Sequence, residues 1–245
     1  MVRLVVDGAV AVGCDDMDGT NWIYKYYQQI KDGSATVGNG IRLLYEYIVH
    51  GLEDGLFYFD QKKANAAIEY IEAHTFHTEG PKAPGNLLLE AWQKAFLSCV
   101  YGIVDENNNR QFREVLLVIG RKNGKTLLAA GMEKYDWMKN GGFGARCFNV
   151  APKLDQADLI YNTVWMMTTL DPEWIQRKEK LEAAKKARQY GDDPELARHR
   201  MTDLYIPATN AMVKKIAFSA KKSDGFNPSF CTCDEIAAWE GDKGL

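Results

Sequence analysis

The residues with the clearest chemistry form a short polar loop that ends in a lysine and a threonine, Gly120-Arg-Lys-Asn-Gly-Lys-Thr126. Gly-Lys-Thr at the start of a helix is typical of a phosphate-binding P-loop, in which backbone N–H groups and the helix dipole face an anion. In such a loop Lys125 contacts the β and γ phosphates, and the Thr126 hydroxyl binds Mg²⁺. The sequence therefore predicts a site for ATP and Mg²⁺, with nucleotide contacts from Gly120, Arg121, Lys122, Asn123, Gly124, Lys125 and Thr126. One position departs from the usual pattern, since Ile119 stands where the first glycine is expected.

A pair of acidic residues supplies the second half of this site. Phe230-Cys-Thr-Cys233 is a short apolar run that is followed directly by Asp234 and Glu235. If this run is a strand of a parallel sheet, both acids lie at the carboxyl edge, where ligands gather. Asp234 would then hold Mg²⁺ as a Walker B aspartate does, and Glu235 would polarise the attacking water.

The elements that must position these residues follow an alternating pattern. Val115–Ile119 is an unbroken apolar run, which predicts a strand buried on both faces, and a helix is expected from Lys125 to about Lys139. A further helix is expected at Asp155–Thr169, and another after the Asp171-Pro172 cap. Further strands are expected at Ala145–Ala151, Thr202–Ile206, Met212–Phe218 and Phe230–Cys233. The pattern predicts an α/β P-loop NTPase with a mainly parallel central sheet flanked by helices.

The N-terminal third has a different character. Helices are expected at Asn21–Asp32, Ile41–Gly51 and from an Asp60 cap to His74. Gly80-Pro-Lys-Ala-Pro-Gly85 is rich in helix breakers, so the predicted division is a helical segment over residues 1–85 and an ATPase domain over 86–245. Asn86 is expected to start a helix over Leu87–Tyr101.

Composition excludes some classes of protein. The chain has 245 residues and a formal net charge of −3, so any contact with nucleic acid must be a local patch. The sequence has no apolar run long enough to span a membrane and no signal pattern, which favours a soluble protein. Five scattered cysteines favour reduced thiols, and Cys231 and Cys233 are expected to be small buried residues of a strand. His74 and His77 have metal-ligand spacing, but the sequence offers no third ligand nearby, which favours the end of a surface helix.

Taken together, three segments resemble the ATPase half of the large terminase subunits of tailed bacteriophages. They are Leu87-Leu-Leu-Glu-Ala-Trp-Gln-Lys94, the loop Gly120–Thr126, and Asp224-Gly-Phe-Asn-Pro-Ser229 with the following Cys233-Asp-Glu-Ile-Ala-Ala-Trp239. The family's variant Walker A motif, with Arg-Lys-Asn before Gly-Lys, accounts for the displaced glycine. The resemblance implies that Trp92 and Gln93 bracket the adenine, although Trp92 could equally be a core aromatic of its helix. It also implies that Arg121 senses the γ phosphate and acts in catalysis with Lys125 and Glu235.

The resemblance further implies a motor that translocates double-stranded DNA into a capsid. Its partners would be a small terminase subunit and a portal protein, its subunits would form a ring, and it would work in the cytoplasm of the bacterial host. Three departures limit this inference. The coupling motif expected after the Walker B strand and the acidic nuclease domain are not found before Leu245, and lysines 221 and 222 stand where a trans-acting arginine is expected. We therefore expect an N-terminal fragment of a longer protein.

Two other interpretations remain open from the sequence. The first is a different P-loop enzyme, either a helicase, which should carry further motifs and a second similar lobe, or a small-molecule kinase, which should have a soluble acceptor. The second is a non-catalytic assembly module that binds nucleotide poorly and serves docking.

Overall fold

The computed structural model describes residues 21–187, 191–217 and 227–234. The sequence-based expectations for Cys14, for lysines 221 and 222, and for Glu235 therefore lie outside the described residues. Residue contacts divide the chain into two compact units, one of residues 1–72 and 88–118, and one of residues 73–87 and 119–245. Residues 88–118 thus pack with the N-terminal helices, and the domain boundary expected at residue 85 stays a prediction.

The first unit is mainly helical. Its helices are α1 (Trp22–Asp32), α2 (Asn39–Glu53), α3 (Gln61–His74, which leaves this unit after Glu72) and α4 (Ala91–Leu97), continued by a π-helical turn over Ser98–Gly102. Two short strands, β1 (Tyr58–Phe59) and β2 (Ile103–Val104), pair antiparallel. The side chain of Asn21 accepts a hydrogen bond from the amide of Ile23 at the start of α1. Asp60 accepts one from the amide of Lys63 at the start of α3, as the sequence predicts.

Helix α4 begins later than the sequence predicts. The expected start at Asn86 is wrong, because residues 87–90 are not helical and Glu90 precedes the first helical residue. The side chain of Gln93 accepts the Glu90 amide at 2.8 Å, which completes one half of a capping box. A helix starts where its free amides find acceptors, and here Glu90 and Gln93 provide them.

The second unit is built on a five-stranded mixed sheet. In the order β4-β5-β6-β3-β7 its strands are Arg198–His199, Leu204–Ile206, Ala211–Ala217, Arg146–Ala151 and Phe230–Cys233. Strand β3 runs parallel to both β6 and β7, and the β4-β5-β6 edge is antiparallel. Because β3, β6 and β7 are parallel, their carboxyl ends meet at one edge of the sheet. The α/β class predicted from the sequence is confirmed.

The helices of this unit are α5 (Lys125–Tyr135, followed by a π-helical turn over Asp136–Asn140), α6 (Leu154–Leu170) and α7 (Pro172–Lys186), of which α7 packs on α6. Helix α5 packs on α6 and β7, and α6 covers β3 and β6. The Asp171 side chain accepts the Glu173 amide at 3.0 Å and caps α7, with Pro172 as the first helical residue. Within the described part of the chain, none of the helices combines the length and hydropathy needed to cross a membrane.

A buried ion pair joins α5 to the start of α7. The Lys134 side chain is fully buried and donates to Asp171 Oδ2 at 2.7 Å and to the carbonyl of His74. The ring of His74 also contacts this carboxylate, with Nδ1 lying 3.1 Å from Asp171 Oδ2. Burial lowers the pKa of Lys134, while the neighbouring Asp171 favours the charged form. Lys134 thus forms a buried ion pair with Asp171, whereas the sequence indicated only a helix-forming residue at this position.

The strand expected before the P-loop is not formed. Residues 114–120 adopt neither helix nor strand, and Val115, Leu116 and Val118 are 48%, 73% and 81% exposed. An apolar run becomes a buried strand only where another strand supplies its hydrogen bonds, and no strand of the described residues pairs with this one. The prediction of a strand buried on both faces is therefore wrong for this structure.

Candidate functional site

The loop before α5 has the backbone geometry of an anion-binding turn. Lys122 and Gly124 have positive φ angles of 65° and 75°, and Gly124 is the residue that precedes helix α5. The side chain of Asn123 donates to the carbonyl of Gly120 at 3.1 Å, which closes the loop. Left-handed residues that interrupt right-handed backbone turn successive N–H groups toward one side, where they can bind an anion. The same side receives the positive end of the α5 dipole.

Lys125 and Asp234 meet at this loop although they are far apart in sequence. Lys125 is the first residue of α5, and Asp234 follows the last residue of β7. Lys125 Nζ donates to Asp234 Oδ1 at 2.6 Å, with side chains that are 42% and 13% exposed, respectively. The Asp234 amide donates to the carbonyl of Val150 at 3.1 Å, so the ladder between β3 and β7 continues to the acid and fixes its backbone.

This arrangement brings a cation and a carboxylate together at the loop. A lysine ammonium can neutralise phosphate oxygens, and an aspartate oxygen is a ligand that Mg²⁺ prefers. Asp234 already accepts a hydrogen bond from one cation, the Lys125 ammonium. The residues present therefore fit Mg²⁺ chemically. The metal and nucleotide roles of Lys125, Thr126 and Asp234 stay predictions.

The other predicted loop residues lie beside this pair. Thr126 is half-buried in the first turn of α5, whereas Arg121, Lys122 and Asn123 are exposed in the loop. Glu235, the predicted catalytic base, is outside the described residues. Its role is therefore untested.

The predicted adenine contacts belong to the first compact unit. Trp92 is half-buried and packs against the core of the N-terminal helices. This packing agrees with the alternative that Trp92 is a core aromatic of its helix. Gln93 is buried, and its side-chain oxygen accepts a hydrogen bond from the Glu90 amide. Their proposed contacts with adenine stay predictions.

The two cysteines of β7 differ from expectation. Cys231 and Cys233 are exposed, and their Sγ atoms lie 3.9 Å apart, so the prediction that both are buried is wrong. Residues two apart on a strand share one face. No residue of the local pattern indicates that this face of β7 is uncovered among the described residues.

A buried polar group below the loop was missed by the sequence analysis. Glu133 of α5, Asn149 of β3 and Thr232 of β7 each carry a buried polar atom under the helix that starts with Lys125. Glu133 stands in a helix of ordinary helix formers, where an acid usually points to solvent. Only the packing of α5 on the sheet shows that it points inward.

Comparison with known proteins agrees with this architecture. A family model described as the ATPase domain of the terminase large subunit matches residues 91–244, more than half of the chain. The crystal structure of the HK97 bacteriophage large terminase is similar to this chain, with a TM-score of 0.51 and 21% sequence identity over 70% of this chain. The similar region makes up 30% of the HK97 chain, and at this identity the likeness shows the fold alone. A search of curated proteins found no match.

Proposed function

The chain belongs to the ATPase-domain family of terminase large subunits, and we propose that it binds MgATP at the 120–126 loop and hydrolyses it. In the complete motor this hydrolysis would drive double-stranded DNA into a capsid. We propose a small terminase subunit and a portal protein as partners, a ring of these chains as the working assembly, and the bacterial host cytoplasm as its location.

One contact carries the proposal: Lys125 Nζ lies 2.6 Å from Asp234 Oδ1. It joins the loop that would hold the phosphates to the strand end that would hold the metal. Two residues with unrelated positions in the sequence thereby form one centre of opposite charges. A chance Gly-Lys-Thr at a helix start gives no reason to find an acid at this distance.

The same contact suggests how nucleotide would enter. A triphosphate offers Lys125 more negative charge than one carboxylate does, so Lys125 would turn from Asp234 to the β and γ phosphates. Asp234 would then hold Mg²⁺ together with the hydroxyl of Thr126. When bound, Mg²⁺ supplies positive charge to the phosphate oxygens.

Three side chains would serve the hydrolysis itself. Lys125 and the exposed Arg121 would neutralise charge that develops on the transferred phosphoryl group. Glu235, next to Asp234 in the sequence, would orient a water molecule for in-line attack and accept its proton. Each role depends on a charge that can reach the phosphate, so neutral variants of the same size are the informative ones.

DNA contact would be local and electrostatic. The net charge of −3 gives no general attraction to a polyanion, so Lys and Arg residues of a limited surface would face the DNA backbone. Such contacts go to phosphates and carry no sequence information, which suits a motor that moves any sequence.

Nucleotide binding by three variants tests the proposal. Lys125→Ala should abolish the rise in melting temperature that MgATP produces in the wild type, because the phosphates lose their cation. Glu235→Gln should keep that rise and lose phosphate release. Lys185→Ala is the matched control, since Lys185 is exposed on α7 and pairs with Glu182 of the same helix.

The outcomes separate the rival functions. Unchanged turnover in Glu235→Gln would remove Glu235 from its role. A wild type whose melting temperature does not respond to MgATP would contradict the proposal and favour a docking module. Transfer of phosphate to a small acceptor instead of water would favour a kinase.

A further inference from the structure

Helix α5 carries a buried acid on the side that faces the sheet. Glu133 is fully buried, and its Oε1 accepts the side-chain amide of Asn149 on β3 at 3.0 Å. Asn149 is only 1% exposed. The bond therefore crosses between the P-loop helix and the strand that lies next to β7, entirely away from solvent.

The polar group continues across the sheet. Asn149 of β3 stands opposite Thr232 of β7 in their parallel ladder. Glu133 Oε2, Asn149 Oδ1 and Thr232 Oγ1 are buried and have no hydrogen-bond partner among the described residues. A buried polar atom lowers the stability of the fold unless it is hydrogen-bonded. Three such atoms on adjacent elements therefore need a physical explanation.

The protonation state of Glu133 supplies part of that reason. Burial raises the pKa of Glu133 to about 8, with a smaller upward contribution from the nearby Asp136, while the bond from Asn149 lowers it. At neutral pH the group is therefore mostly a neutral acid with one O–H donor. A neutral carboxyl group can donate as well as accept, whereas an ionised carboxylate can only accept.

We infer that Glu133 is a positioning residue of the proposed ATPase site, whose bond to Asn149 fixes the helix that starts at Lys125 against the strands that lead to Asp234. This inference rests on the proposed function. Glu133 lies on the helix of Lys125, and Thr232 lies two residues before Asp234. Any slide or rotation of α5 against β3 that breaks the Glu133–Asn149 bond also changes the separation of Lys125 and Asp234.

An apolar side chain at this position would pack without such a constraint. Leu or Met would contribute burial that tolerates small shifts of the helix, because apolar contacts are not directional. A hydrogen bond between buried side chains specifies one register and one angle. The structure thus has a directional contact at the interface where the geometry of the Lys125–Asp234 pair is set.

The test compares two substitutions of similar size. Glu133→Gln keeps the acceptor for Asn149, whereas Glu133→Met removes it. Thr168→Val is the matched control, since Thr168 is equally buried and its hydroxyl donates within α6, to the carbonyl of Val164. The first readout is the rate at which an amine-reactive ester labels Lys125, measured by mass spectrometry relative to the exposed Lys185. The second is kcat/KM for MgATP.

In Glu133→Met we expect the ester to label Lys125 roughly threefold faster than in the wild type. We also expect kcat/KM to fall about tenfold, since a displacement of about 1 Å in a catalytic group can lower the rate about a hundredfold. Glu133→Gln and Thr168→Val should stay near the wild-type values in both assays. Circular dichroism checks folding. If Glu133→Met does not fold, Asn149→Leu takes its place in the test, because leucine has about the size of asparagine and no donor for Glu133 Oε1.

Two results would overturn the inference: unchanged Lys125 labelling in the folded Glu133→Met or Asn149→Leu variant, or a Glu133→Gln variant as impaired as Glu133→Met. The labelling assay needs no nucleotide. A wild type that does not bind MgATP therefore contradicts the proposed function, while the labelling rates still decide whether Glu133 positions the pair.

Discussion

Replacing Asp234 with asparagine should strengthen the binding of metal-free ATP. In the structure Lys125 Nζ is engaged by Asp234 Oδ1 at 2.6 Å, so ATP must displace a carboxylate before it gains this cation. Asp234→Asn removes that competitor and also removes a negative charge that repels the phosphates. The same change removes a metal ligand, so the enhancement of binding by Mg²⁺ should be lost.

The size of the effect follows from the exposure of the pair. Two unit charges about 4 Å apart attract by about 4 kcal/mol at an effective dielectric constant of about 20. The Lys125 side chain is 42% exposed, so solvent screening and the entropy of the lysine cancel most of this attraction. Exposed pairs contribute about 0.2–1 kcal/mol. At about 1 kcal/mol, metal-free ATP should bind the variant roughly fivefold more tightly than the wild type.

Isothermal titration calorimetry measures the affinity of the wild type and of Asp234→Asn for a non-hydrolysable ATP analogue. Each protein is titrated once in EDTA and once in excess Mg²⁺. The control is Asp192→Asn, because Asp192 also accepts a bond of 2.6 Å from a cation, Arg198, on the exposed surface. That control should match the wild type in both buffers. Metal-free binding in Asp234→Asn that is equal to or weaker than in the wild type would contradict competition between Asp234 and ATP for Lys125. A Mg²⁺ enhancement equal to that of the wild type would contradict the metal role of Asp234.

Three further predictions concern the loop before α5, the buried Lys134–Asp171 pair and Glu133. Gly124→Ala forces a side chain onto a residue with φ of 75°, so it should lose about 1–2 kcal/mol of unfolding free energy and also weaken nucleotide binding. Gly142→Ala, at φ of 67°, should lose stability alone, and equal nucleotide affinities in the two variants would contradict the loop's role. Asp171→Ala leaves the fully buried Lys134 unpaired and should cost about 3–5 kcal/mol in urea denaturation, with recovery in Asp171→Ala/Lys134→Met. Because burial raises the pKa of Glu133 from 4.5 to about 8, its contribution to stability is present below pH 4.5 and lost as the pH rises to 8. That contribution is at most about 5 kcal/mol, and Glu133→Gln should flatten this part of the pH profile of the unfolding free energy. Asp136 and Cys231 are titratable groups near Glu133.

Local patterns predicted those elements whose signals are contained in a few neighbouring residues. Strand β7 occupies Phe230–Cys233 as expected, α5 begins at Lys125, and Asp171 caps the helix that starts with Pro172. Caps and short apolar runs are decided by contacts within one turn or one strand. The meeting of Lys125 with Asp234 was also predictable, because a P-loop helix and the end of a parallel strand belong to one edge of the sheet.

The failures concern contacts that the sequence does not encode locally. The apolar run at 115–119 predicts a strand, but only a neighbouring strand can make it one. Cys231 is apolar enough to be buried, but its exposure depends on what covers that face of β7. Glu133 is inward-facing only because α5 packs on β3 through Asn149, a partner 16 positions away in the sequence.

The decisive measurement is a structure of the chain with Mg²⁺ and a non-hydrolysable ATP analogue. Lys125 Nζ should leave Asp234 for the β and γ phosphates, while Thr126 and Asp234 face the metal. A nucleotide bound elsewhere, with the Lys125–Asp234 contact intact, would contradict it.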